Sequence, residues 1–305
     1  MTKNQKYLLY AVLALFTISL ISLGTLKYIE DKTNHTTPIK PSIKPKPTIV
    51  PIDLPTVVVK PKTIVVPEVK EPVKPVKTIV KTIPRSTNPR DTKHYIPPQA
   101  FQYFDIITKE TKDIMPDLPY PQYIAGLIEH ESCITLTHSK CWSPRSQLKT
   151  KRELGLGMLQ ITKAYRSDGS VRFDTLTELR NRYSKYLKEL SWSTIVQRPD
   201  LQIRAGVLMT KNNFKALSPM SDPYQRLAAS DAAYNGGLGS VRKRRRICGL
   251  KSNCDPQYWF GNLEHIVVKS TKPLYGSRSA QQINTEHVYK VLKETMPKYK
   301  PYFNS

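Results

Sequence analysis

Hydrophobic and polar positions divide the chain into three stretches. Residues 7–26 form an uncharged, apolar-leaning run. As a helix such a run spans roughly 30 Å, the thickness of a bilayer core. Beyond it, short Val/Ile runs such as Thr48-Ile49-Val50-Pro51 and Thr63-Ile64-Val65-Val66-Pro67 are cut by proline every few residues. Proline removes a donor and fixes φ, so neither helix nor sheet is expected there. Past Gln99 the apolar positions recur every three or four residues. Phe101, Phe104, Ile107, Ile114 and Met115 predict a first helix. Leu176, Leu179, Tyr183, Tyr186, Leu187 and Leu190 follow the 3.6-residue period and predict another. Further helices are predicted over about 201–217, 224–235 and 284–296, with loops around 133–153 and 242–275. Strict alternation yields only short strand pieces. The expected fold class is mainly α, with an organisation of 1–27 as a transmembrane anchor, 28–98 as an extended linker and 99–305 as the folded domain.

Charge sharpens this division. Lys3, Lys6 and the α-amine precede the apolar run, which keeps that end cytoplasmic and sends the remainder outward. A single-pass protein of the cytoplasmic membrane is expected, its C-terminal domain in the periplasm or outside. A cleaved signal peptide ending near Ser22-Leu23-Gly24 is the competing reading. Proline and lysine dominate residues 32–98, and a polyproline-like chain of that length reaches on the order of 200 Å at ~3.1 Å per residue. It resembles the Pro/Lys spacers of TonB-like periplasmic proteins and reads as a tether. The 305 residues carry a formal net charge of +24, which favours an anionic partner: wall polymer, membrane surface or nucleic acid. Five cations run together in Arg242-Lys243-Arg244-Arg245-Arg246, expected to be solvated in a loop. No aromatic residues interleave that run, so wall or membrane is preferred and nucleic acid is disfavoured.

Cys133, Cys141, Cys248 and Cys254 are the only cysteines and all follow the apolar run. In an exported domain an even number reads as disulfides, and neighbouring pairs are the simplest connectivity. His130, Cys133, His138 and Cys141 also offer four zinc-ligand types in twelve residues. Their spacing is not a common zinc pattern, and the expected compartment is oxidising.

Candidate chemistry centres on Glu131. It follows Leu127 by four residues and Ile128 by three, so it shares their inward helical face, whereas Glu129 is expected to face solvent. A buried carboxyl is costly unless it is paired or functional. Protonating a glycosidic oxygen is a task for such a group. Glu153, Asp168 and Asp231 were weighed as a second carboxylate, and none lies in a recognisable signature.

Several motifs occur in a telling order. Glu131-Ser132 is followed by Gly157-Met158-Leu159-Gln160, then Gln202-Ile203-Arg204-Ala205-Gly206, then Ala233-Tyr234-Asn235-Gly236-Gly237, and finally Asn284-Thr285-Glu286-His287-Val288. Over about residues 120–295 this order resembles the lytic transglycosylases with a soluble-transglycosylase domain, relatives of goose-type lysozyme. Leu and Met are exchanged in the Gly-Leu-Met-Gln element, Gln202 replaces an Asn, and the last motif fits only with a one-residue gap. The resemblance implies a lysozyme-like domain that cleaves the MurNAc–GlcNAc β-1,4 bond of peptidoglycan and leaves a 1,6-anhydro-MurNAc end. It implies Glu131 as acid and base, because the C6 hydroxyl of the muramic sugar replaces an enzyme nucleophile. It further implies Ser132, Met158, Gln160, Tyr234, Asn235 and His287 as substrate contacts. Ser132 would bond near the glutamate or the sugar, Tyr234 would orient Glu131, and His287 or Tyr289 would stand in for a family tyrosine. No metal or organic cofactor is implied. The rival readings are a hydrolysing lysozyme and a non-catalytic, wall-binding TonB-like or secretion-system spacer.

Overall fold

A computed structural model of the chain describes residues 86–303 apart from Arg152 and Gly276. The expected anchor and most of the expected linker lie outside the described residues. Among the described residues no helix is long and apolar enough to cross a membrane.

The described part is mainly helical with a small antiparallel sheet. A 3-10 turn (Pro98–Tyr103) leads into α1 (Phe104–Ile114), and α2 (Tyr123–Ser132) follows. Then come β1 (Gln147–Lys149), β2 (Glu153–Leu156), β3 (Ile161–Tyr165) and β4 (Val171–Asp174), hydrogen-bonded in that order. Helices α3 (Thr175–Arg182), α4 (Ser184–Leu187), α5 (Pro199–Ala216), α6 (Pro223–Gly236) and α7 (Leu238–Cys248) follow. A two-stranded ribbon of β5 (Pro273–Tyr275) and β6 (Arg278–Ser279) precedes α8 (Ala280–Tyr289). A π-helical segment (Lys290–Thr295) then joins α8 to α9 (Met296–Tyr299).

Local chemistry sets several boundaries. Asp174 accepts from Thr177 N at 2.9 Å and caps α3, and Asp222 accepts from Gln225 N at 2.8 Å and caps α6. Ser279 and Gln282 form a capping box on α8. Pro199 and Pro223 open α5 and α6, where a missing N–H costs nothing.

Helix α2 runs through the core, with every residue from Tyr123 to Glu129 buried. Gly126 lets the C-terminal elements come close: a Cβ there would meet Met296 Cα and N at 2.7 Å. Thr295 Oγ1 donates to Gly126 O across the same contact, at 2.9 Å.

Several expectations need correction. Residues 95–98 were placed in the linker, yet Tyr95 and Ile96 are buried against the domain. The period over 176–190 predicted one helix, but Tyr183 (φ −123°, ψ 44°) interrupts it between α3 and α4. The sheet occupies a stretch read partly as loop, because its strands are too short to show alternation. The loop expected at 242–275 begins as helix α7, and its cations are not all solvated. Helical geometry turns Arg244 inward while Arg242, Lys243 and Arg246 stay exposed. Arg244 donates to Leu263 O (3.2 Å), Gln281 Oε1 (3.2 Å) and Asn284 Oδ1 (3.0 Å), and its guanidinium lies 4.9 Å from the Trp259 ring centre. Burial pulls its pKa down to about 10.

Candidate active site

Glu131 ends α2 with its side chain 3% exposed. Its carboxyl lines a cavity of about 150 Å³ together with Gln160, Thr162, Met209, Tyr234 and Asn235. It is the only carboxylate among the described residues lining that cavity. A second cavity of about 150 Å³ shares Thr175, Met209, Ala233 and Tyr234 with the first and continues toward Glu178 and Arg182.

One wall is the β2–β3 hairpin. Gly157 has φ +84°, a conformation open to glycine, and a Cβ there would meet Gln202 Oε1 at 2.4 Å. Gln202 Oε1 accepts from Met158 N at 2.8 Å, and its amide donates to Ile195 O (2.6 Å) and Pro144 O (3.0 Å). Gln202 thus pins the turn. Gln160 is left-handed (φ +46°), and its side chain donates back to Gly157 O at 2.8 Å.

The opposite wall is the end of α6. Asn235 Oδ1 accepts from Asn284 Nδ2 at 2.9 Å, which ties α6 to α8. Three residues further along α8, His287 meets Asp231 four residues before Asn235. His287 Nδ1 lies 2.7 Å from Asp231 Oδ2, and His287 Nε2 lies 2.8 Å from Glu131 Oε1. Tyr123 OH donates to Asp231 Oδ1 at 2.8 Å. The His287 and Asp231 side chains are 1% and 0% exposed. Burial works to lower the His287 pKa, but the carboxylates of Asp231 and Glu131 outweigh it and push it up to about 10. The His130 ring stands edge-on to His287 at 4.5 Å. Burial first, then the charges of His287 and Lys290, hold its pKa well below the usual histidine value.

The structure brings Glu131, Gln160, Tyr234 and Asn235 to one cavity and reassigns the other expected contacts. Ser132 Oγ donates to Ile128 O (2.7 Å) and accepts from Trp142 N (3.0 Å), an internal tie. Met158, expected against substrate, is fully buried, and Leu159 lines the cavity instead. Tyr234 lines the cavity but donates to Leu159 O at 2.6 Å. His287, expected against substrate, is enclosed and is the group that orients Glu131. Asp231, a candidate second carboxylate in the sequence, lies off the cavity and partners His287 instead. Its spacing of three and four residues from Tyr234 and Asn235 places it on their helical face, the one local signal of its role.

Three other acids singled out in the sequence lie outside this cavity. Glu153 is buried on β2 outside the cavity, and Asp168 caps an exposed turn through Ser170 N at 2.9 Å. Glu129 is buried, contrary to expectation. Lys298 Nζ lies 2.6 Å from its carboxylate, and Tyr299 OH donates to it at 2.5 Å. Burial raises its pKa while Lys298 and Tyr299 oppose the rise. Glu129 and His130 face a larger cavity of about 1140 Å³ that does not include Glu131. Glu131 lines only the smaller of the two.

Both disulfides join neighbours, Cys133 to Cys141 and Cys248 to Cys254. The first removes both cysteines from the four-residue zinc set. No family model, curated protein or solved structure matches the chain.

Proposed function

We propose that this chain is a peptidoglycan lytic transglycosylase with a lysozyme-like domain, held at the outer face of the cytoplasmic membrane by its N-terminal apolar run. The observation that carries this reading is convergence. Stretches around residues 131, 160 and 234, far apart in sequence, meet at one cavity in which Glu131 is the sole acid among the described residues. Glu131 protonates the glycosidic oxygen, and the bond to the muramic anomeric carbon breaks. With no second carboxylate on that cavity, the C6 hydroxyl of the same sugar attacks and gives its proton to Glu131. The acid is restored and an anhydro end is left. Attack from within the same ring gains the advantage of proximity. Gln160 and Asn235 offer polar groups to the sugar.

The two disulfides favour an oxidising compartment. The exposed cations of α7, Arg242, Lys243 and Arg246, provide affinity for the anionic wall or membrane surface. The test is digestion of purified sacculi followed by mass analysis. The wild type is expected to release anhydro-muropeptides. Glu131→Gln is expected to lose at least about 100-fold in rate with an unchanged circular dichroism spectrum. Products with reducing ends would make the enzyme a hydrolase, and wall binding without release would make it a non-catalytic module.

A further inference from the structure

The protein treats the two oxygens of Glu131 differently. Oε1 lies 2.8 Å from His287 Nε2, whereas Oε2 takes no hydrogen bond from the described residues. The far nitrogen of His287 faces Asp231 Oδ2 at 2.7 Å. A neutral imidazole has one N–H and one lone pair. Between two carboxyl oxygens it would point that lone pair at one of them. The imidazolium donates to both.

Charge then separates the carboxyls. If both were anionic, the enclosed trio would carry a net negative charge in a low-dielectric setting, which is costly. Asp231 suits the anion: it receives both Tyr123 OH and His287 Nδ1–H, and it is sealed from the cavity. The other groups around the ring are neutral. From α2, His130 is held uncharged by burial. From α6, the Tyr234 ring lies 6.3 Å away, its hydroxyl is bonded to Leu159 O, and burial and the two acids push its pKa up. Lys290, from the π-helical segment, acts on His130.

We infer that Asp231 and His287 are a positioning dyad that divides the labour of the two Glu131 oxygens. Asp231 holds the counter-charge, His287 donates to Oε1, and the proton exchanged with the glycan is confined to Oε2. The inference rests on the proposed function for its substrate. In the first step the Oε2–H bond breaks, the proton goes to the glycosidic oxygen, and that oxygen keeps the electron pair of its bond to the anomeric carbon. The anion left on Glu131 is met through Oε1 by a cation already in place, with no proton moving along the dyad. In the second step Oε2 takes the proton of the C6 hydroxyl as its oxygen bonds to the anomeric carbon.

Two measurements on the full-length chain test this. With ¹⁵N-labelled histidine, both ring nitrogens of His287, assigned by their loss in His287→Gln, are expected to carry protons at pH 7. A neutral tautomer there overturns the proposal. On sacculi, Asp231→Asn is expected to lower kcat about 100-fold with KM unchanged. The high-pH limb of its activity profile is expected to move, because the imidazolium has lost its counter-charge. The same loss at every pH, with the limb in place, marks a merely structural Asp231 and overturns the dyad. A wild type that cleaves no wall, or a Glu131→Gln variant that cleaves it normally, removes the substrate reading instead and leaves the nitrogen signals unchanged. The two failures are therefore separable.

Discussion

Arg244 shows how much a single side chain can depend on its place on a helix. It lies among five consecutive cations and is fully buried, while three of its neighbours in that run face solvent. Its removal strands the Asn284 Oδ1 acceptor and takes one donor each from Leu263 O and Gln281 Oε1, inside the core. Arg244→Leu is expected to lower stability by about 2–4 kcal/mol in denaturant unfolding. Arg242→Leu, on the exposed face, is expected to change it by less than about 0.5 kcal/mol. Glu129 and Glu131 make the same point for acids. Both are buried, but Glu129 is bonded to Lys298 and Tyr299 beside the larger cavity, whereas Glu131 meets His287 and lines the smaller one. Spacing along the chain identified Glu131 as inward but gave no sign of Lys298, which lies 169 positions beyond Glu129 and arrives through packing of α9 on α2.

At the scale of elements, α2 is placed by what it lacks. Gly126 has no side chain where the Met296 backbone passes, so Gly126→Ala forces the two apart. A cost of about 1–3 kcal/mol is expected in unfolding experiments. Sacculus cleavage should fall as well, because Glu131 sits little more than one turn further along α2. Cys133–Cys141 begins two residues after Glu131 and anchors the loop that leaves the helix. Replacing both of these cysteines by alanine should cost about 2–3 kcal/mol and also lower turnover. Removing Cys248–Cys254, at the far end of α7, should cost similar stability with turnover retained. The long helices α5 and α6 were legible because their apolar positions repeat over several turns. The sheet was not: β1 has three residues and β2 four, and three of those four are buried regardless of face.

For the whole molecule the clearest consequence is the response to pH. The His287 pKa rises from 6.5 to about 10 on folding. The folded state therefore holds that proton more tightly, and the contribution is complete below pH 6.5. It declines as pH rises and is lost above about 10. The thermal midpoint of the wild type should fall between pH 7 and 10 more steeply than that of His287→Gln, as calorimetry at constant ionic strength would show.

What the sequence by itself determined is local. Helical period, capping residues and proline placement depend on neighbours a few positions apart, and they marked the major helices. Cysteine proximity set the two disulfides, and the motifs around Glu131, Gln160 and Tyr234 named most of the cavity. The tertiary structure alone decided which partner each polar group meets. His287 lies 156 positions from Glu131 and 56 from Asp231, and neither distance leaves a periodic trace. Buried polar groups are costly unless paired, so packing selects those partners only when α2, α6 and α8 come together.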